Sequence, residues 1–126
     1  MEESRSSAVV VLGDLMFRVK VDDALKRAGF VPRFIASFDE ALELARSGPD
    51  LIIIDLNFGA ASPLELVARL KQDPETSQIR LLGYVSHVQT EIIKAAKERG
   101  CNQVVARSAL IHTLLSARAP AVAEQP

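Results

Sequence analysis

The sequence is short of several things, and each shortage closes off a class of protein. A single cysteine, Cys101, rules out an internal disulfide and fits a reducing cytoplasm. Neither sign of charge dominates: 15 Lys and Arg against 16 Asp and Glu leave a net charge of −1. That balance carries no electrostatic footprint for nucleic acid or another polyanion. No apolar run approaches the ~20 residues that cross a bilayer, so no membrane contact is expected. Met1 to Ser7 is polar and acidic and lacks the basic and apolar regions of a secretory signal. No internal repeat of roughly 20–50 residues and no cluster with metal-ligand spacing is present. What remains is an ordinary soluble composition, and 126 residues suffice for one domain with its own core.

The most informative stretch is Pro49-Asp-Leu-Ile-Ile-Ile-Asp-Leu-Asn57. Leu51 to Ile54 is an unbroken apolar run rich in β-branched residues, which reads as a strand buried on both faces of a parallel sheet. Asp55 closes that strand. In an open α/β sheet, ligands bind outside the carboxyl ends of the strands, so a carboxylate delivered there marks a site.

The rest of the chain alternates strands with helices. Ala8 to Leu12 is a second buried strand, broken at Gly13-Asp14. Phe17, Val21, Ala24, Leu25 and Ala28 then recur at helical spacing. Asp22–Lys26 and Asp23–Arg27 are i,i+4 pairs on the other side of that helix, and Gly29 ends it. Phe30 to Ala36 is a strand interrupted by Pro32, which predicts an edge position. Ser37 to Glu40 and Ser62 to Glu65 read as capping boxes opening two helices, the second with Pro63 at its first position. Ile79 to Val85 is a fourth strand. His87 to Arg99 is a helix ended by Gly100, Asn102 to Ala106 is a short fifth strand, and Ser108 is positioned to cap a last helix. Residues 1–7 are expected to be a disordered arm, 8–118 the domain and 119–126 a disordered tail. The pattern is a doubly wound, flavodoxin-like (βα)5 three-layer sandwich with parallel sheet order 2-1-3-4-5.

In that fold Asp14, Asp55, Asn57, Ser86, His87, Arg107 and Ser108 all lie near one edge of the sheet. The constellation resembles the response-regulator receiver domain, the chemotaxis-regulator-like fold of bacterial two-component systems, over about residues 8–116. Asp55-Leu-Asn-Phe-Gly59 is similar to the phosphoacceptor segment, with Asp55 as the phosphorylated aspartate. The resemblance implies that Asn57 helps hold Mg²⁺ through its backbone carbonyl and that Ser86 hydrogen-bonds an incoming phosphoryl group. Arg107, the other candidate phosphoryl contact, stands where the family has lysine, and Ser108 where it has proline. Other departures accompany these. The family places two adjacent acids after the first strand. An ungapped register puts Leu12 and Gly13 there, and one deletion puts Gly13 and Asp14 there, so at least one acid is missing. The metal set is therefore Asp14, Asp55 and Asn57, a weak Mg²⁺ site. Val104 occupies the aromatic switch position, and His87 a position that is ordinarily small.

The resulting reading is a stand-alone, cytoplasmic, degenerate receiver, or pseudo-receiver. It is not an enzyme and acts through protein contact with a histidine kinase or downstream partner. The alternative is a phosphorylatable regulator that accepts a phosphoryl group on Asp55 with Mg²⁺. A hydrolase built on Ser86, His87 and Asp55 is the minor third reading. The expected contact face is the fourth helix, fifth strand and fifth helix, where Val88, Ile92, Leu110, Ile111, Leu114 and Leu115 suggest a homodimer or partner surface. Asp14 can also be read as a helix cap, His87 as structural, His112 as surface, and Tyr84 and Cys101 as core. With no firmly held metal, Arg107 is expected to reach Asp55 across one intervening strand, about 10 Å of sheet spacing, and neutralise it.

Overall fold

The computed structural model describes residues 6–87 and 89–117. The elements run β1 (Ser6–Val11), α1 (Leu15–Arg27), β2 (Phe30–Ile35), α2 (Phe38–Ala45), β3 (Leu51–Asp55), a 3-10 turn (Gly59–Ala61), α3 (Pro63–Gln72), β4 (Arg80–Val85), α4 (Thr90–Glu98), β5 (Gln103–Ala106) and α5 (Arg107–Ser116). The sheet order is β2-β1-β3-β4-β5, and every neighbouring pair is parallel. This is the expected flavodoxin-like topology, with Pro32 on the edge strand.

Alternation along the central strands builds two cores. Val10, Ile53, Leu82 and Tyr84 face α1 and α5, where Phe17, Val21, Leu25, Leu110 and Leu114 meet them. Val9, Val11, Ile52, Ile54 and Leu81 face the other layer, against Ala41, Leu66, Val67, Leu70 and Ala96. Ile52, Ile53 and Ile54 are fully buried, and each such side chain contributes about 1.5–3 kcal/mol relative to exposure. That is why this run fixes β3 at the centre of the sheet.

Local signals behave as expected at several joints. The Ser37 hydroxyl accepts from the Glu40 N–H at 3.1 Å and caps α2. Asp22–Lys26 and Asp23–Arg27 pair along the exposed side of α1 at 3.0 and 3.2 Å. Gly29, at φ 96°, takes the left-handed turn that releases the chain from α1 into β2.

Several boundaries differ from expectation, β2, β4 and β5 each by one residue at one end, and four of the differences have a local cause. β1 starts at Ser6 rather than Ala8, because the Ser7 N–H donates to the Asp50 carboxylate and the Asp50 N–H to the Ser7 carbonyl, both at 2.9 Å. Ser62 makes no capping bond. It closes the 3-10 turn at φ 44°, and Pro63 alone starts α3. α4 begins at Thr90 instead of His87, since the preceding segment is tied across the sheet edge. α5 begins at Arg107 directly out of β5, with Ala106 in the cap position and no side-chain cap, so Ser108 lies inside the helix. The expectations for residues 1–5 and 118–126, and for Val88, lie outside the described residues.

Candidate functional site

The site lies where β1, β3, β4 and β5 end. β3 delivers Asp55, whose side chain follows Ile53 toward the α1–α5 layer. Its carboxylate accepts the Asn57 N–H at 2.9 Å and is partly buried. Burial raises its pKa above the usual 3.8; the Asn57 N–H, the neighbouring Tyr84 hydroxyl and the Arg107 charge oppose that rise. Tyr84 is the cross-strand neighbour of Asp55 on β4. Its hydroxyl is buried and lies beside Asp55, yet no partner among the described residues meets it with hydrogen-bond geometry. Burial and the Asp55 charge both hold the phenol protonated.

Arg107 does not pair with Asp55. Its Nη2 donates to Asp14 Oδ2 at 2.8 Å, and its guanidinium lies 4.1 Å above the Phe17 ring centroid. The expectation counted strand spacings, by which β1 is farther from β5 than β3 is. It overlooked the helix layer: α1 and α5 are neighbours on one side of the sheet, and Asp14 heads α1. The Phe17 ring supplies a flat surface that a guanidinium stacks on. Asp14 meanwhile caps α1, with Oδ1 accepting from the Met16 and Phe17 N–H groups at 3.0 and 3.1 Å. The Phe17 N–H bond first, then the Arg107 hydrogen bond and charge, and last the Met16 N–H bond hold its carboxyl below the usual 3.8, against burial, which raises it.

Asn57 ties the two loops above the sheet. Its Oδ1 accepts the Ser86 N–H at 2.7 Å, and its Nδ2 donates to the Gln89 side chain. Ser86 and His87 are exposed, and among the described residues no hydrogen bond joins either side chain to Asp55. Consecutive residues at a strand end point to opposite sides, so the geometry offers no Ser–His–Asp relay.

Gln89, Phe17 and Phe58 belong to the site and were not singled out for it from sequence. Phe17 stood out only as a member of the α1 stripe. Phe58 directly follows the Asp55-Leu-Asn segment, and its ring lies against Gly13. Nothing in the local pattern marks Gln89.

Among the described residues, no group of three or more His, Cys, Asp or Glu side chains is placed to hold a metal ion. None of their helices is long and apolar enough to cross a membrane. On the expected contact face, Leu110 and Leu114 are fully buried, while Ile111 and Ile92 pack partly onto the cores. Leu115 is exposed there. Among the described residues, the most exposed large apolar side chains are instead Leu15, Met16 and Val19, in the first turns of α1 beside Asp14.

No protein-family model matches the sequence, and no curated protein matches it. Solved structures do match. The phosphorylated cyanobacterial phytochrome response regulator RcpA superposes with a TM-score of 0.78 at 18% identity, covering 93% of this chain and 99% of that one. The chemotaxis response regulator CheY4 of Vibrio cholerae gives 0.78 at 22%, covering 90% and 95%. A response regulator protein from Burkholderia pseudomallei, with a phosphorylated aspartic acid, a calcium ion and citrate, gives 0.77 at 25%, covering 94% and 69%. The chain therefore has the fold of response-regulator receiver domains.

Proposed function

We propose that this chain is a degenerate receiver, a signalling domain of the two-component type that works by protein contact rather than by phosphoryl transfer to Asp55. The observation that carries this reading is the placement of Arg107. The position that in the family bears a lysine directed at the phosphoryl group here bears a guanidinium turned to Asp14 and stacked on Phe17. Asp55 is left with a raised pKa and, among the described residues, no cation in direct contact. A phosphoryl group added there would bring more negative charge to a carboxylate whose charge burial already disfavours.

The partner in this reading is a protein, a histidine kinase or a downstream signalling protein. The contact centres on the exposed Leu15, Met16 and Val19 of α1, which are better exposed than the apolar residues of α4 and α5. The alternative of a phosphorylatable regulator draws on one feature: the Asp55 carboxylate remains partly open at the sheet edge, with Ser86 exposed nearby.

Beryllofluoride with Mg²⁺, a phosphoryl analogue, separates the two by amide NMR. The degenerate reading expects no saturable shift at Asp55, Ser86 or Arg107. Saturable shifts at those three positions would overturn it in favour of the phosphorylatable regulator.

A further inference from the structure

The fold implies a divalent cation beside Asp55, and the residues present do not fit one. Mg²⁺ requires octahedral oxygen coordination and is usually held by one or two carboxylates with several waters. The acid in the turn between β1 and α1 is Asp14, and both its oxygens have partners: one caps α1, and the other receives Arg107. A cation at that carboxylate would stand against the guanidinium.

Gly13 carries the argument further. Val11 ends β1 and pairs with Ile54, so Gly13, in the turn that follows, lies just beyond the level of Asp55. Its backbone is not in the left-handed region, so conformation does not require glycine there. Space does. A Cβ at Gly13 would lie 2.7 Å from Phe58 Cε1, 3.1 Å from Cζ and 3.2 Å from Cδ1. Three ring atoms that close mean an edge of the phenyl group occupies the volume into which a side chain at this position would project. Phe58 is anchored there: its N–H donates to the Asp55 carbonyl at 3.1 Å, and its ring packs partly on the α2–α3 core.

We infer that Phe58 is a plug filling the cation side of the Asp55 pocket, and that Gly13 is the absent side chain that admits it. The two positions form one unit. An apolar ring stands where oxygen ligands and their waters would be needed, so the site is closed to divalent cations. Supplying an acid at Gly13 alone does not reopen it, because that side chain must first displace the ring. This deepens the degenerate-receiver reading and rests on identifying the sheet edge with the receiver site.

The test is a Mg²⁺ titration followed by amide shifts, repeated with Mn²⁺ for paramagnetic broadening, on wild type, Gly13→Asp and Gly13→Asp/Phe58→Ala. Wild type and Gly13→Asp are expected to show no saturable change at millimolar metal. The double variant is expected to bind about tenfold or more tighter than Gly13→Asp, the non-additivity of residues in contact. Saturable binding by wild type, or equal binding by Gly13→Asp and the double variant, overturns the inference. Thermal melts of Gly13→Ala, Phe58→Ala and the pair test the contact without metal and with milder changes. Gly13→Ala should lower the melting temperature in wild type and cost little once Phe58 is alanine; equal losses in both backgrounds overturn the plug. The melts use neither metal nor beryllofluoride, so the Gly13–Phe58 contact can fail while the degenerate reading stands, and the reverse.

Discussion

Replacing Tyr84 by phenylalanine removes one oxygen from the core and leaves the ring in place. The ring is 1% exposed and is tilted against Phe17 at a centroid separation of 5.5 Å. The hydroxyl is buried without a hydrogen-bond partner among the described residues, although Asp55 is close enough to influence its proton. An unsatisfied buried hydroxyl costs about 1–3 kcal/mol. Attraction between the phenol dipole and the Asp55 carboxylate returns part of this. The net expectation is that Tyr84→Phe stabilises the fold by about 1 kcal/mol, near the low end of that range. For a domain of this size such a change raises the melting temperature by roughly 4 °C. Tyr84 is the only tyrosine and tryptophan is absent, so the variant loses its intrinsic probe. Urea unfolding followed by far-UV circular dichroism is therefore the assay, with the slope expected unchanged and only the midpoint moving. A loss of stability of about 1 kcal/mol would refute the reasoning. It would mean that the hydroxyl donates a productive bond to Asp55, a second donor to the carboxylate besides the Asn57 N–H.

Much of this architecture is legible in the sequence, and the parts that are not share a cause. Unbroken apolar runs bounded by turn residues identify the central strands, because a strand buried on both faces needs nothing from its neighbours except apolar contact. Alternation of those runs with helical stripes leads to the parallel order, since crossovers are right-handed and must cover both faces. Caps are read correctly where the side chain serves its own helix, as at Ser37 and Asp14. The reading fails where an outcome depends on a residue distant in sequence. Ser62 has the composition of a cap, but the 3-10 turn before it sets its backbone. Spacing along the sheet points Arg107 to Asp55, while its actual partner depends on α1 and α5 packing side by side. His87 and Gln89 stay out of α4 because Asn57, on another loop, holds that segment down. Phe58 looks like an ordinary loop residue until the space above Gly13 is known.

Two further predictions concern the charges at the sheet edge. Asp55→Asn should raise stability at neutral pH. The folded pKa of Asp55 lies above 3.8, so the native state binds its proton more readily than the unfolded chain, and stability is lost as pH rises from 3.8 through the folded value. The gain should disappear below pH 3.8, and a variant that is less stable than wild type at neutral pH would contradict this. Asp14 runs the opposite way. Its folded pKa lies below 3.8, so its contribution is present above that value and is lost as pH falls through the folded one. Arg107→Ala removes both the partner of Asp14 and the cation over Phe17. The Asp14 titration, followed by its side-chain carboxyl carbon in NMR, should then move back up toward 3.8 without reaching it, because the Phe17 N–H bond, the largest single cause of its depression, remains. The Asp55 titration should move further up in the same variant, because the Arg107 charge is one of the influences that restrain it. Arg107→Lys should restore the Asp55 titration better than the melting temperature, since an ammonium supplies charge but neither the planar fork nor the stacking face. If Arg107→Lys matches wild type in both, the pairing with Asp14 and Phe17 is not what positions this residue.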